Sequence, residues 1–195
     1  MNIGIMGGTF DPVHFGHLLA AERAREGARL DEVWFLPANS PPHKTTEPGA
    51  SGEHRLAMVR LAIQGNPRFR ALDLELARGG VSYTVDTAAY LRKRYPDDAF
   101  YWIIGLDMVK YLPQWVKIEE IFRMIGFIGL NRPGIDPDLS DLPEWLRSKV
   151  TMVEMPEIAI SSTDIRRRRQ NRFSVRYLVP EPVLQYMEEH HLYES

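Results

Sequence analysis

The chain has 195 residues, of which 44% are apolar and 26% charged, a composition typical of a globular protein able to bury a core without disulfides. The formal net charge of −2 argues against a general electrostatic surface for nucleic acid. The absence of cysteine excludes disulfides, thiolate metal sites and a cysteine nucleophile. The N-terminal residues resemble neither a signal peptide nor a membrane span, so we expect a cytoplasmic protein without a membrane partner.

Short apolar runs alternate with longer helical patterns along the chain, which predicts βαβ units and a parallel sheet. We predict strands over 2–6, 32–36, 69–76, 100–104, 126–130 and 150–155. We predict helices over 14–28, from 51 onward, 83–95, 144–149, from 160 onward, and 181–190. The longest polar loop covers 38–52, a length that favours a functional or mobile segment.

The first predicted strand runs into GGTFDPVHFGH at residues 7–17. Glycines between a buried strand and a helix start let backbone N–H groups approach an anion, to which the helix N-terminus adds partial positive charge. The spacing matches neither a Walker A loop nor GxGxxG, and the latter absence disfavours hydride transfer.

Two histidines replace the lysine of a Walker loop. His14 and His17 are three residues apart and therefore occupy neighbouring positions on one helix face. Gly16 lies between them and has no side chain, which leaves room for a ligand to approach. Imidazoles can donate hydrogen bonds to phosphate oxygens. Solvated histidines would explain the spacing alone, and a zinc site would need a third ligand such as Asp11 or a distant histidine. After this strand and turn we favour phosphate binding.

A second motif, ISSTDIR at residues 160–166, begins a later helix. Its hydroxyl residues are also typical of helix capping. Capping does not explain Arg166, whose guanidinium suits a phosphate. Arg167, Arg168 and Arg169 point around the helix axis, so we favour a solvated face over a nucleic-acid surface.

Together these motifs resemble those of the HxGH nucleotidyltransferases, in which they jointly hold a nucleoside triphosphate. Four further stretches lie between them: PPHK at 41–44, SYTVDT at 82–87, Gly105 with Asp107 and Trp115, and RPG at 132–134. With these stretches and with 7–17 and 160–166, the chain is similar along nearly its full length to the bacterial nicotinate-mononucleotide adenylyltransferases. Leu106 departs from the family pattern by replacing the alanine of a Gly-Ala-Asp motif, a change that bears on backbone shape or on the fit of adenosine.

The resemblance implies a single domain over 1–195 with an open, mostly parallel Rossmann-like sheet and helices on both faces. It implies adenylyl transfer from ATP to nicotinate mononucleotide, a step of NAD biosynthesis, with Mg²⁺ delivered with ATP. A homo-oligomer is left open.

Motif chemistry and resemblance together assign His14, His17 and Arg166 as catalytic. Asp107 is expected on the ATP ribose, or as a helix N-cap. Trp115 is expected to stack on the pyridine ring, or to be a partly buried aromatic. The residues expected to bind ATP are Gly8, Thr9, Phe10, His14, His17, Gly105, Asp107, Ile160, Ser161, Ser162, Thr163 and Arg166. The residues expected to bind the acceptor are His43, Lys44, Thr84, Trp115 and Arg132.

Two alternatives follow from the same residues. The acceptor could be nicotinamide mononucleotide or phosphopantetheine, because the first motif is shared across the superfamily. A non-catalytic nucleotide sensor or nucleic-acid-binding module would use the same triphosphate pocket and the arginine run. Such a module would bind ATP without releasing pyrophosphate.

Overall fold

The computed structural model describes residues 1–40, 47–134 and 137–194. Within them, six parallel strands form one sheet in the order β3-β2-β1-β4-β5-β6. The strands are β1 (Asn2–Gly8), β2 (Glu32–Pro37), β3 (Phe69–Ala71), β4 (Ala99–Gly105), β5 (Gly126–Asn131) and β6 (Val150–Glu154). The helices are α1 (Phe15–Gly27), α2 (Gly52–Ala62), α3 (Leu74–Arg78), α4 (Thr84–Arg94), α5 (Leu106–Tyr111), α6 (Ile118–Met124), α7 (Glu144–Arg147), α8 (Ser162–Gln170) and α9 (Glu181–Glu189).

Apolar cores cover both faces of the sheet, as a parallel sheet requires. Alternate residues of β1 serve the two faces, so that Ile3 and Ile5 enter one core and Met6 the other. Helices α1, α2, α8 and α9 supply buried residues to the core of Met6, and α4 to α7 supply the core of Ile3. The predicted α/β fold with helices on both faces is confirmed, and the sheet is wholly rather than mostly parallel.

The position of β1 creates a crevice. The chain leaves β1 towards β2 on one side and later returns to β4 on the other side, and ligands bind at such a switch point beyond the carboxyl ends of the strands. A side chain at Gly7 would come within 2.8 Å of the Trp102 ring. Glycine at that position therefore keeps β1 and β4 close where the crevice begins.

One predicted element is wrong, and two helices were not predicted. The strand predicted over 69–76 ends at Ala71, and α3 begins at Leu74. Apolar residues at alternate positions imitate a strand there, but Leu72 and Leu74 pack into the core below β2. The sequence also gave no prediction for α5 and α6, which are short helices separated by a 3-10 turn containing Pro113. No helix of the described residues is both long and apolar enough to span a membrane.

Candidate active site

Two segments about 150 positions apart meet at the carboxyl end of β1. The Ser162 hydroxyl donates to the Pro12 carbonyl oxygen at 2.9 Å, and Arg166 Nη1 donates to the Asp11 carbonyl oxygen at 2.7 Å. A side chain at Gly16 would come within 3.7 Å of the Ile160 carbonyl oxygen. The first motif and the α8 motif therefore form one surface, which is the spatial premise of the sequence interpretation.

The paired histidines begin α1 and are stacked on each other. His14 is the N-cap, its ring lies 3.7 Å from that of His17 between centroids, and its backbone N–H donates to His17 Nδ1 at 3.2 Å. Because Nδ1 accepts this bond, the neutral His17 ring carries its proton on Nε2. The edge of Phe10 packs against His17 at 5.0 Å, and a side chain at Gly16 would approach the His14 ring within 3.0 Å. Phe10 thus supports the His17 ring, and Gly16 leaves room for the His14 ring.

His14 is an uncharged member of this pair. It is buried, and that burial lowers its pKa from the usual 6.5 to about 4. Its Nδ1 is also buried and lacks a hydrogen-bond partner among the residues that the structure describes. Buried polar atoms without a partner are uncommon in folded proteins, and a catalytic role is one explanation for them. At neutral pH His14 can contribute hydrogen bonds but not charge.

The buried His14 predicts a pH-dependent stability. Between pH 6.5 and about 4 the unfolded chain binds a proton at His14 that the folded chain excludes. The free energy of unfolding therefore decreases as the pH falls through this range, by up to about 3 kcal/mol. Urea unfolding of the wild type and of His14→Gln across that range measures the difference between their stabilities, which should change by this amount. His191→Gln removes an exposed histidine as a control, and parallel curves for the wild type and His14→Gln would contradict the prediction.

Asp11, which the sequence suggested only as a zinc ligand, is a structural centre of the site. Its buried carboxylate accepts hydrogen bonds from the backbone N–H groups of Gly49 at 2.8 Å and Ala50 at 3.0 Å, and from the Tyr193 hydroxyl at 2.7 Å. It also lies 3.6 Å from Arg166 Nη1. Asp11 therefore joins the first turn to the start of α2, to α8 and to the C-terminal segment.

A buried arginine that the sequence analysis missed supports the same turn. Arg55 is only 2% exposed and donates to the carbonyl oxygens of Thr9 at 2.7 Å, Ala38 at 2.8 Å and Ala50 at 3.2 Å. Its burial lowers the pKa of the guanidinium, although the Asp11 carboxylate nearby opposes that shift. Arg55 fixes the backbone of the turn from inside the protein.

The hydroxyl residues of the second motif build the site. Ser161 is the N-cap of α8 and accepts from the Asp164 N–H at 3.1 Å, so the capping interpretation holds for this residue. The Ser162 hydroxyl holds Pro12, and Thr163 Oγ1 accepts from Arg166 Nη2 at 3.5 Å. The donors that α8 offers to an anion are therefore chiefly its first backbone N–H groups and Arg166.

Two cavities lie at this edge of the sheet. The larger cavity, of about 890 Å³, lies at the ends of β1, β4 and β5 and is lined by His17, Gly105, Leu106 and Asp107. Gly105 is the N-cap of α5 and makes no side-chain cap, so the interpretation of Asp107 as N-cap is wrong. A side chain at Gly105 would meet nothing within 4 Å, which shows that this position faces open space. Asp107 is exposed in the first turn of α5, where it faces solvent.

A smaller cavity of about 370 Å³ adjoins the larger one and shares Gly7, Ile104 and Met108 with it. Thr84 and Trp115 line it together, as the sequence predicts for one binding site. Trp115 Nε1 is buried without a partner among the described residues.

Glu75 is a lining residue of the smaller cavity that the sequence did not reveal. It is 3% exposed, and its carboxylate accepts from the Thr87 hydroxyl at 2.7 Å. Burial raises the pKa of Glu75. The sequence predicted a strand over 69–76. Glu75 instead lies in the short helix α3, which borders the cavity, so the prediction did not indicate its position.

One further acceptor candidate, Arg132, lies outside the smaller cavity. Arg132 lines the larger cavity, is exposed, and pairs with Glu157 at 2.9 Å. It follows β5, which neighbours β4, and is thereby placed near Asp107 rather than near Trp115. His43 and Lys44 lie outside the described residues.

The chain is similar to proteins of known family. The cytidylyltransferase-like family matches residues 5–168. The probable nicotinate-nucleotide adenylyltransferase of Oceanobacillus iheyensis is 50% identical over 191 residues, covering 98% of this chain and 96% of that protein. The nicotinate-nucleotide adenylyltransferase of Bacillus subtilis is 46% identical, covering 99% of this chain and 98% of that protein.

A solved structure supports the fold independently. Plasmodium falciparum nicotinic acid mononucleotide adenylyltransferase complexed with NaAD aligns with a TM-score of 0.77 at 20% identity, covering 98% of this chain and 97% of that one. The chain belongs to the nicotinate-nucleotide adenylyltransferases, within the cytidylyltransferase-like family. The predicted resemblance is confirmed.

Proposed function

We propose that the protein transfers the adenylyl group of ATP to nicotinate mononucleotide, giving nicotinate adenine dinucleotide and pyrophosphate in NAD biosynthesis. The observation that carries this proposal is the pair of adjoining cavities at one sheet edge, with His17 and Asp107 in one and Trp115 and Thr84 in the other. Two nucleotides held in such cavities would meet near Gly7. The names and identities of the relatives support the same reaction.

The reaction needs positioning and charge neutralisation more than proton transfer. An oxygen of the acceptor phosphate attacks the α-phosphorus of ATP, and the bond from that phosphorus to the pyrophosphate oxygen breaks. The attacking phosphate is already an anion at neutral pH, so it needs no general base. The rate enhancement then comes from aligning the two phosphates and stabilising charge on the transferring group and the leaving pyrophosphate.

The site supplies these donors from two directions. His17 would donate from Nε2 to the α-phosphate and to the oxygen that leaves with pyrophosphate, and His14 would add a neutral donor. Arg166 and the first N–H groups of α8 would hold the β- and γ-phosphates. Gly8 and Thr9 would offer the backbone of the first turn.

The nucleoside of ATP would occupy the larger cavity. Asp107 has a carboxylate that can accept hydrogen bonds from the ribose hydroxyls. Gly105 leaves the adjacent wall of this cavity open. Arg132, which was predicted for the acceptor, would instead lie on the ATP side, since it lines the same cavity.

We propose that Mg²⁺ reaches this site as part of the MgATP substrate. No group of three or more histidine, aspartate or glutamate side chains within the described ranges is arranged to hold a metal ion. The Asp11 carboxylate, beside Arg166, already accepts from three donors. Triphosphate oxygens are therefore the better ligands, and a divalent ion on them would neutralise charge that Arg166 and His17 also face.

The acceptor would bind in the smaller cavity. Thr84 is the first residue of α4, whose N-cap Tyr83 makes no side-chain cap. The first N–H groups of this helix suit the carboxylate of the pyridine ring. Trp115 lines the same cavity and offers an aromatic face on which the ring can stack.

Replacing Trp115 with alanine should raise the KM for nicotinate mononucleotide about tenfold, because the stacking surface is lost. The KM for ATP should change little, since Trp115 does not line the larger cavity. Steady-state kinetics with each substrate varied in turn measures both values. Trp145→Ala removes an exposed tryptophan outside both cavities as a control. Equal increases in the two KM values would place the ring elsewhere.

A pyrophosphate-release assay tests the proposed reaction. The purified protein is given MgATP with nicotinate mononucleotide, nicotinamide mononucleotide or phosphopantetheine, each separately. We expect the largest kcat/KM with nicotinate mononucleotide. A preference for another acceptor would contradict the proposed substrate. If ATP binds but releases no pyrophosphate in the presence of any of the three acceptors, the non-catalytic sensor would be favoured. The cytoplasmic location, the absence of a nucleic-acid partner and the oligomeric state stay predictions.

A further inference from the structure

The C-terminal segment after α9 reaches into the triphosphate-binding turn. Tyr193 is 182 positions from Asp11, is buried, and donates its hydroxyl to Asp11 Oδ1 at 2.7 Å. Burial, together with the adjacent Asp11 carboxylate, raises the pKa of Tyr193, so the hydroxyl stays protonated and remains a donor.

Several contacts hold this segment in place. Glu194 pairs with Arg169 on α8, and Leu192 is buried in the core beside α9. Tyr193 adopts a φ of 61°, a left-handed conformation that is costly for an aromatic residue and persists only where the surroundings enforce it. The segment is thus tied to α8, the helix that carries Arg166.

Tyr193 and Arg166 also pack against the same residue. A side chain at Gly49 would come within 3.1 Å of the Tyr193 ring and 3.3 Å of Arg166 Cδ. A larger residue at position 49 would have to push one of these two side chains aside by a few tenths of an ångström. The Gly49 N–H donates to Asp11 Oδ2 at 2.8 Å, so Gly49, Tyr193 and Arg166 surround one carboxylate.

We propose that Tyr193 is a positioning residue for ATP, acting through Asp11 on the guanidinium of Arg166. This inference rests on the proposed function in taking ATP as the ligand of Arg166. The Asp11 carbonyl oxygen accepts from Arg166 Nη1, and its carboxylate lies 3.6 Å from the same nitrogen. A shift of Asp11 therefore changes two of the contacts that orient the guanidinium, the third being that of Thr163 Oγ1.

Loss of the Tyr193 hydroxyl would cause such a shift. Asp11 is only 4% exposed. Water therefore does not readily replace the Tyr193 hydroxyl as a hydrogen-bond donor to its carboxylate. Oδ1 would keep only the Ala50 N–H, and the carboxylate would turn towards its remaining donors and towards Arg166. A guanidinium drawn closer to Asp11 is less available to phosphate oxygens.

The test compares two tyrosines that each lose only a hydroxyl. Tyr193→Phe should raise the Kd for MgATP, measured by titration calorimetry, about tenfold, with the Kd for nicotinate mononucleotide unchanged. Tyr186→Phe is the matched control, because its hydroxyl bonds His54 Nδ1 at 2.9 Å on the α2–α9 contact, away from Asp11. It should leave both Kd values unchanged. Thermal unfolding of both variants confirms that each is folded.

A double mutant separates positioning from general structural damage. If Tyr193 acts through Arg166, adding Tyr193→Phe to Arg166→Ala should not weaken MgATP binding further. An unchanged Kd in folded Tyr193→Phe, or an equal further loss on the Arg166→Ala background, would overturn the inference. Weaker MgATP binding in Tyr193→Phe, with no acceptor adenylated by the wild type, would instead refute only the proposed reaction.

Discussion

Replacing His17 with alanine is expected to lower kcat about 10²–10³-fold at saturating ATP, the effect of losing one preorganised donor to a transition state. The stacked His14 ring and the edge of Phe10 hold the imidazole in one orientation. The Nδ1 bond to the His14 backbone directs the proton to Nε2. This donor costs little reorganisation when charge develops on the α-phosphate, so its removal should reduce kcat more than it raises the KM for ATP.

The control for this experiment is His191→Ala, because His191 is exposed on the C-terminal segment and lines neither cavity. Single-turnover measurements distinguish a slower chemical step from slower product release. A near-normal kcat in His17→Ala with ATP saturating would refute the role assigned to His17. A loss confined to the KM for ATP would make His17 a ground-state binding residue only.

Replacing Arg166 with alanine should reduce kcat/KM for ATP about 10²-fold, because at least two charge-assisted hydrogen bonds to the triphosphate are lost. Nη1 and Nη2 are oriented by Asp11 and Thr163, so the side chain is fixed before the ligand binds. Lysine offers no planar fork, and Arg166→Lys should restore only part of the loss.

The neighbouring arginine provides the matched control. Arg167 is in the same helix, is 73% exposed and pairs with Asp164, so Arg167→Ala should leave kcat/KM for ATP close to that of the wild type. Equal losses in both variants would show that the general positive charge of α8 matters rather than the geometry of Arg166.

The meeting of the two motifs could be predicted from the sequence. The carboxyl ends of the strands of a parallel sheet lie at one edge. The glycine turn before α1 and the hydroxyl residues at the start of α8 are local sequence motifs that can be recognised without the tertiary structure. His14, His17 and Arg166 could be placed near each other on this basis. Arg132 was expected to bind the acceptor, and it lines the larger cavity together with Asp107. The strand order that brings Arg132 to this cavity could not be read from the sequence.

The supporting residues had no such signal. Tyr193 and Asp11 are joined only by the tertiary fold, and one tyrosine near the end of a chain has no pattern that indicates its partner. Arg55 is in a helix of ordinary charge pattern, where an arginine is expected to face solvent. In the structure it is buried and donates its hydrogen bonds to backbone carbonyl oxygens. Glu75 was hidden because alternation over 69–76 predicted a strand, and a two-residue period cannot reveal the short helix α3.

The proposed catalysis requires His17 and Arg166 to hold one triphosphate from opposite sides. A crystal structure with Mg²⁺ and a non-hydrolysable ATP analogue tests this directly. We expect phosphate oxygens of a single bound analogue within about 3.2 Å of both His17 Nε2 and the Arg166 guanidinium. A triphosphate that contacts only one of these groups, or that lies outside the crevice between β1 and β4, would contradict it.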